Sequence, residues 1–249
     1  MAKLRPLAVQ SFCLRGFDKN EVVAAKVKEC GLSAIEICAK HIDFTKVESF
    51  DGHLATYAAA GVAIVSIGVQ TFRNDAVNER HFFEFAKKAG GTTLSASFAI
   101  DAIPAALKTA EGLSEEFGIP LGIHNHGGRH WLGNAQTLEW IFKQTGPRIG
   151  LMLDTAWAMD AGEDPVAMVE KFGPRVVGVH VKDFVYDRAR KHRDVVVGTG
   201  NLDLAKLFAA LRKTGFAGNV ILEYEGDVEN PVPALKACVD AIRREYPHV

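Results

Sequence analysis

Apolar residues come in short bursts along this chain, separated by longer stretches with helical spacing. The bursts are "LAVQSF", "LSAIEI", "VAIVSIGV", "TTLSASF", "IPLGIH", "PRIGLMLD", "PRVVGVH" and "FAGNVILE". They are too short for helices and apolar enough for strands buried on both faces. All but the first follow a glycine: Gly31, Gly61, Gly90 with Gly91, Gly118, Gly146, Gly173 and Gly215. Glycine just past a helix end is the expected stop, because it enters the left-handed region without a Cβ clash. The beat is regular except for one longer gap before Gly215.

The segments between bursts predict helices at Glu21–Cys30, Gly52–Ala60, Val77–Ala89, Ala102–Phe117, Ala135–Gln144, Pro165–Phe172, Leu202–Thr214 and Val232–Tyr246. Strand and helix alternating eight times over 249 residues predict a single-domain (β/α)8 TIM barrel spanning residues 1–249. The competing doubly wound open sheet often carries a glycine-rich phosphate turn after its first strand. Here that turn is "FCLRGFDKN", without G-x-G-x-x-G. No linker or low-complexity tract divides the chain.

Composition narrows the partners. Hydrophobic residues make up 48%, enough for a large core, and the net charge of −1 provides no broad basic face for nucleic acid. A small molecule is the expected partner. The four cysteines, Cys13, Cys30, Cys38 and Cys238, form no Cys-x-x-Cys pair and suit neither a zinc knuckle nor a disulfide framework. They are expected to be reduced core thiols of a cytoplasmic protein. The N-terminal "MAKLRPLAVQSF" has no secretory pattern, and no apolar stretch is long enough to span a membrane. Oligomeric state is not legible, although barrels of this kind often pair.

In a barrel of this class, chemistry sits at the C-terminal ends of the strands. Strand one ends at Gln10 and Ser11, and strand two delivers Glu36 with Lys40 and His41 just beyond. Strand three ends near Gln70 and strand four in "SASF". The last four differ: strand five delivers His124 and His126, strand six Asp154, strand seven His180 and Lys182, and strand eight Glu223 and Glu225. By the two-residue period of a strand, each of those pairs shares a face. Buried polar groups without partners are costly, so four adjacent strands ending this way point to a shared ligand. Two imidazoles and two carboxylates form a divalent-metal set: His124, Asp154, His180 and Glu223. Mn²⁺, Co²⁺, Zn²⁺, Fe²⁺ and, less comfortably, Mg²⁺ suit it.

Each residue also has a purely structural reading. Asp154 can cap the following helix, Glu223 can pair with Lys182, and Glu36 with Lys40. His124 and His126 compete for one ligand position. Trp131, Trp157 and Phe72 are either lids over a substrate or rim packing.

The motifs "GLSAIEI", "IHNHGG", "LMLDTAW", "VVGVHVKDF" and "RDVVVGTGNLDLAKLFAALRKTGFAGNVILEYEG" resemble the sugar phosphate isomerase/epimerase superfamily, the xylose-isomerase-like barrel group. The likeness spans nearly the whole chain and implies a metal at Asp154, His180 and Glu223. It also implies substrate contacts from Arg193 and Lys182. Many members of the family have Glu where this chain has His124; the H-N-H fifth strand resembles one branch. Asp, Glu and two neutral His sum to roughly zero charge with M²⁺, which leaves a stronger Lewis acid than a three-carboxylate shell.

The expected activity is isomerisation or epimerisation of a keto-sugar or related polyol, through an enediolate formed by proton abstraction α to a carbonyl. Glu223 or Glu225 is the first choice of base, then His124 or His126. Lys182 would stabilise negative charge or donate a proton. Glu36, His41, Arg193 and Trp157 would contact substrate. A dehydratase or lyase on an inosose or 3-keto-glycoside is the close alternative. An endonuclease IV-like hydrolase and a non-catalytic sugar-binding subunit rank below it. No phosphate nest is evident, so the substrate is expected to be unphosphorylated.

Overall fold

A computed structural model describes residues 5–247. The first four residues of "MAKLRPLAVQSF" lie outside it. Strands β1 (Ala8–Gln10), β2 (Ala34–Ile37), β3 (Ala63–Phe72), β4 (Thr93–Phe98), β5 (Leu121–His124), β6 (Ile149–Asp154) and β7 (Val176–Val181) form the barrel with β10 (Asn219–Leu222). All are parallel, and β10 closes the barrel between β7 and β1. A small antiparallel hairpin, β8 (Phe184–Tyr186) with β9 (His192–Asp194), leaves the barrel after β7. It accounts for much of the long gap before Gly215.

The surrounding helices are α1 (Asn20–Glu29), α2 (Phe50–Ala59), α3 (Ala76–Ala89), α4 (Ala105–Phe117), α5 (Ala135–Phe142), α6 (Thr155–Asp160), α7 (Pro165–Phe172), α8 (Leu204–Lys213) and α9 (Val232–Glu245). The short α6 was not expected. Helix α4 starts later than predicted. Residues Ile100–Ala102 form a 3-10 turn, and Ile103, which precedes Pro104, is extended, as proline demands of its predecessor. Gly31, Gly61, Gly90, Gly118 and Gly215 take φ of 75°, 65°, 73°, 70° and 71°. Gly173, at φ 8°, does not follow that rule, and neither does Gly146. There the Arg175 guanidinium collects the carbonyls that close α5, donating to Phe142 and Thr145 at 3.0 Å and to Gly146 and Ile149 at 2.7 Å.

Alternation along the strands stacks the barrel interior in layers. At the bottom, the Asn219 amide donates to Thr93 Oγ1 at 2.8 Å and Thr92 Oγ1 at 3.0 Å. Two residues further along β10, Ile221 packs with Ala8, Ala34 and Met152 in a fully buried apolar layer. Gly178 leaves room for Met152: a Cβ there would meet its Sδ at 2.5 Å. Two residues on again come Glu223, Gln10, Glu36, Asp154 and His180, all buried. The larger apolar core lies between the sheet and the helices. Among the described residues, no helix is long and apolar enough to cross a membrane.

Candidate metal centre

The site is assembled by strand register. Asp154 at the tip of β6 pairs with His180 on β7, and His124 closes β5 beside Met152. Glu223 follows β10, its N–H donating to the Val181 carbonyl at 3.1 Å. One ligand-type atom from each of His124, Asp154, His180 and Glu223 lies within 4.8 Å of the others. His124 Nε2 is 3.1 Å from His180 Nδ1 and 3.6 Å from Asp154 Oδ2, and His180 Nδ1 is 2.5 Å from Glu223 Oε2. Donors around a four-coordinate ion with bonds of about 2.1 Å stand about 3.4 Å apart, so the set fits a divalent cation with small adjustments.

Asp154 gives the clearest sign. Its Oδ1 accepts the Trp157 N–H at 2.8 Å and caps α6. Its Oδ2 is buried with no hydrogen-bond partner. An orphaned carboxylate oxygen is costly, and it faces a histidine nitrogen.

Electrostatics sort the four groups. Burial, together with the neighbouring His180, lowers His124 to about 3, so its imidazole is neutral and free to donate a lone pair. Burial raises Asp154 to about 6. Burial pulls His180 down, but Glu36 and Glu223 on either side outweigh it and hold the ring well above the usual histidine range. Burial likewise pushes Glu223 up, while Lys182 and His180 pull harder and hold it well below the usual carboxylate range.

Lys182 is fully buried. Its ammonium pairs with Glu225 Oε1 and lies 3.6 Å from Glu223 and 3.9 Å from Asp194. It also sits 4.9 Å above the Trp157 ring. Desolvation lowers its pKa, but the carboxylates led by Glu223 and Asp154 more than offset that and raise it. Lys182 is therefore held as a cation among these carboxylates. Above the four groups opens a cavity of about 350 Å³, large enough for one sugar ring. His124, His126, Trp157, Glu223, Glu225 and Lys40 are among its lining residues. Burial, then His124 and His130, lower His126 to about 3, and its Nδ1 has no partner.

Several expected positions fall elsewhere. Glu36 is fully buried in the layer of Asp154, His180 and Glu223 and is not among the residues lining the cavity. It does not pair with Lys40, which is bound to Asp18 at 2.7 Å. His41 turns away to the Phe17 carbonyl, 3.1 Å from its Nε2. Arg193 stands exposed on the β8–β9 hairpin, off the cavity. Phe72 is core, and Trp131 hydrogen-bonds to the Phe98 carbonyl. Conversely, Phe12, Cys38, Gly68 and Val69 line the cavity; Phe12 and Cys38 sit just past the ends of β1 and β2, whereas Gly68 and Val69 lie inside β3, where its register shifts. The other residue of the "HVKD" tip, Asp183, is structural. It accepts the N–H groups of Gly198, Gly200 and Leu202 at 3.0, 2.8 and 2.9 Å, folding the "VGTGNL" turn around itself.

A closed parallel barrel thus carries two imidazoles and two carboxylates at neighbouring strand tips, a set that could hold a metal ion. The chain belongs to the xylose isomerase-like TIM barrel family, whose model matches residues 24–245. It is 30% identical over 136 residues to the rhizopine catabolism protein MocC of Rhizobium meliloti, covering 49% of this chain and 42% of that one. It is 28% identical over 160 residues to the inosose dehydratase of Geobacillus kaustophilus, covering 57% and 52%. The matches thus span about half the length of these curated relatives. The fold is shared with an IolI protein crystallised with a zinc atom, at a TM-score of 0.79 and 16% identity over 97% of this chain and 99% of that one.

Proposed function

We propose that the chain is a divalent-metal-dependent enzyme that removes the proton α to the carbonyl of an uncharged keto-sugar or cyclic polyol ketone. The observation that carries this is the convergence of His124, Asp154, His180 and Glu223, with Asp154 Oδ2 left unpartnered beneath the cavity. A divalent ion held by those four residues would polarise the substrate carbonyl and stabilise the charge that develops on its oxygen.

The chain's own residues do the rest. Glu223 takes the α-proton, and the C–H electron pair moves into the carbon–carbon bond as charge passes to the carbonyl oxygen. Lys182 stays a cation beside Glu223 throughout and steadies its carboxylate. His126, a neutral imidazole on the cavity wall, is placed to move a proton to or from a substrate hydroxyl. Trp157 offers an apolar face to the ring. Among the described residues, Lys40 is the one cationic side chain lining this cavity, and it is paired with Asp18, in keeping with an unphosphorylated substrate. Returning the proton to the adjacent carbon isomerises the substrate, and returning it to the opposite face epimerises it.

A second reading is favoured by the inosose dehydratase relative: loss of the β-hydroxyl with the proton, releasing water. In deuterated buffer with Mn²⁺, the protein should exchange the α-proton of an inosose or a free ketose, followed by NMR. Glu223→Gln should abolish the exchange. A new alkene proton would identify dehydration. No exchange and no turnover with either substrate would refute the proposal.

A further inference from the structure

Beside the four ligand-type residues, in the same layer of the barrel, lies a second, smaller assembly that no part of the proposed chemistry uses. Glu36 is fully buried, yet its carboxylate is surrounded by donors from three neighbouring elements. Gln10 Nε2 on β1 donates to Oε1 at 2.5 Å, and Ser66 Oγ on β3 donates to Oε2 at 2.5 Å. Gln10 is itself anchored: its amide also donates to the Gly68 carbonyl at 3.0 Å, and its Oε1 accepts the Phe12 N–H at 3.1 Å. These contacts follow from register, since Glu36 pairs with Gln10 on one side and Ser66 on the other. Held at both oxygens, the carboxylate places Oε1 2.9 Å from His180 Nε2, a close charge contact off the line of a hydrogen bond. The opposite nitrogen of that ring, Nδ1, is the one that faces His124, Glu223 and the cavity.

We infer that Glu36 is a positioning residue for the metal centre. It keeps the proton of the His180 ring on Nε2, so that Nδ1 presents its lone pair to a divalent cation. A carboxylate on the far nitrogen of a ligating histidine fixes the tautomer and ring angle and strengthens the ligand. The clamp by Gln10 and Ser66 makes this arrangement rigid. The inference rests on the metal-site reading above and adds to it a residue that touches neither cation nor substrate.

Calorimetric titration of chelator-treated protein with Zn²⁺ alone tests it. Glu36→Gln should weaken binding about 10- to 100-fold and alter the visible spectrum of the Co²⁺-loaded protein. Ser66→Ala frees one oxygen of the clamp and should weaken binding roughly two- to tenfold, the scale of one hydrogen bond. It keeps the test open if Glu36→Gln does not fold. A merely structural Glu36 would lower the melting temperature but leave the Zn²⁺ affinity and the Co²⁺ spectrum as in wild type, which would overturn the inference. Wild-type protein that binds no Zn²⁺ would instead bring down the metal-site reading itself.

Discussion

His124 Nε2 faces His180 Nδ1 at 3.1 Å, with both rings buried. Two imidazole nitrogens approach that closely only with a proton or a cation between them. His124 is neutral, so in the metal-free protein the proton sits on His180, between Glu36 and Glu223. Filling the gap with a divalent ion replaces a hydrogen bond with two ligand bonds. Metal that binds only the folded state stabilises it, by about 2.7 kcal/mol at a hundredfold excess over Kd. For a chain of this size that raises Tm by about 5–10 °C. Scanning calorimetry of chelator-treated protein with and without Mn²⁺ or Zn²⁺ checks this; superimposable traces would refute it.

Asp154 separates the metal role from the capping role. Asparagine caps a helix about as well as aspartate but lacks the charge that burial penalises here. Asp154→Asn should therefore leave metal-free Tm unchanged or raised, while abolishing the metal-induced increase. Asp154→Ala also loses the bond to Trp157 and should be less stable than the Asn variant by about 1 kcal/mol. Equal metal-induced shifts in Asp154→Asn and wild type would remove Asp154 from the ligand set.

The barrel was legible because its signals are local: a glycine after each helix, an apolar run, a polar tip. The four convergent residues were legible because each ends a strand in a fold whose strand ends meet. The errors share a cause too. His41 and Arg193 lie close in sequence to site residues, but one chain turn beyond a strand tip is enough to point a side chain elsewhere, as the bond from His41 to the Phe17 carbonyl shows. Glu36 was placed at the right strand end, but its carboxylate is held by Gln10, Ser66 and His180 instead of lining the cavity, since alternation fixes the face and not the partners. Helix α6 has six residues, too few for periodicity to register. Cys38 and Phe12 line the cavity only because β1 and β2 turn there, a tertiary fact with no mark in composition.

Lys182 makes a quantitative case. Its ammonium is the shared partner of Glu223, Glu225 and Asp194 and lies over the Trp157 and Phe184 rings, and the whole side chain is buried. Lys182→Met preserves most of the stem and removes the charge. Leaving buried carboxylates uncompensated costs about 3–5 kcal/mol, and urea denaturation should show a loss of that size. A loss below about 1 kcal/mol would mean that the carboxylates are solvated in solution, and that the fixed-cation role given to Lys182 is mistaken.

Asp183 provides the control for a residue that sits beside the site without belonging to it. Its two oxygens take three backbone N–H groups from residues 198, 200 and 202, and Gly200 has no room for a Cβ, which would meet Asp183 Oδ1 at 2.4 Å. Asp183→Asn must turn an NH2 group toward at least one of those donors, leaving a buried N–H unpaired at a cost of about 1–3 kcal/mol. The variant should be less stable by that amount in urea and should be cut faster by protease within residues 195–203. Its Zn²⁺ affinity should stay within about threefold of wild type, because His180 is anchored through Glu36 and the β6–β7 register rather than through this turn. A large loss of affinity with unchanged stability would reverse the assignment and make Asp183 part of the metal site.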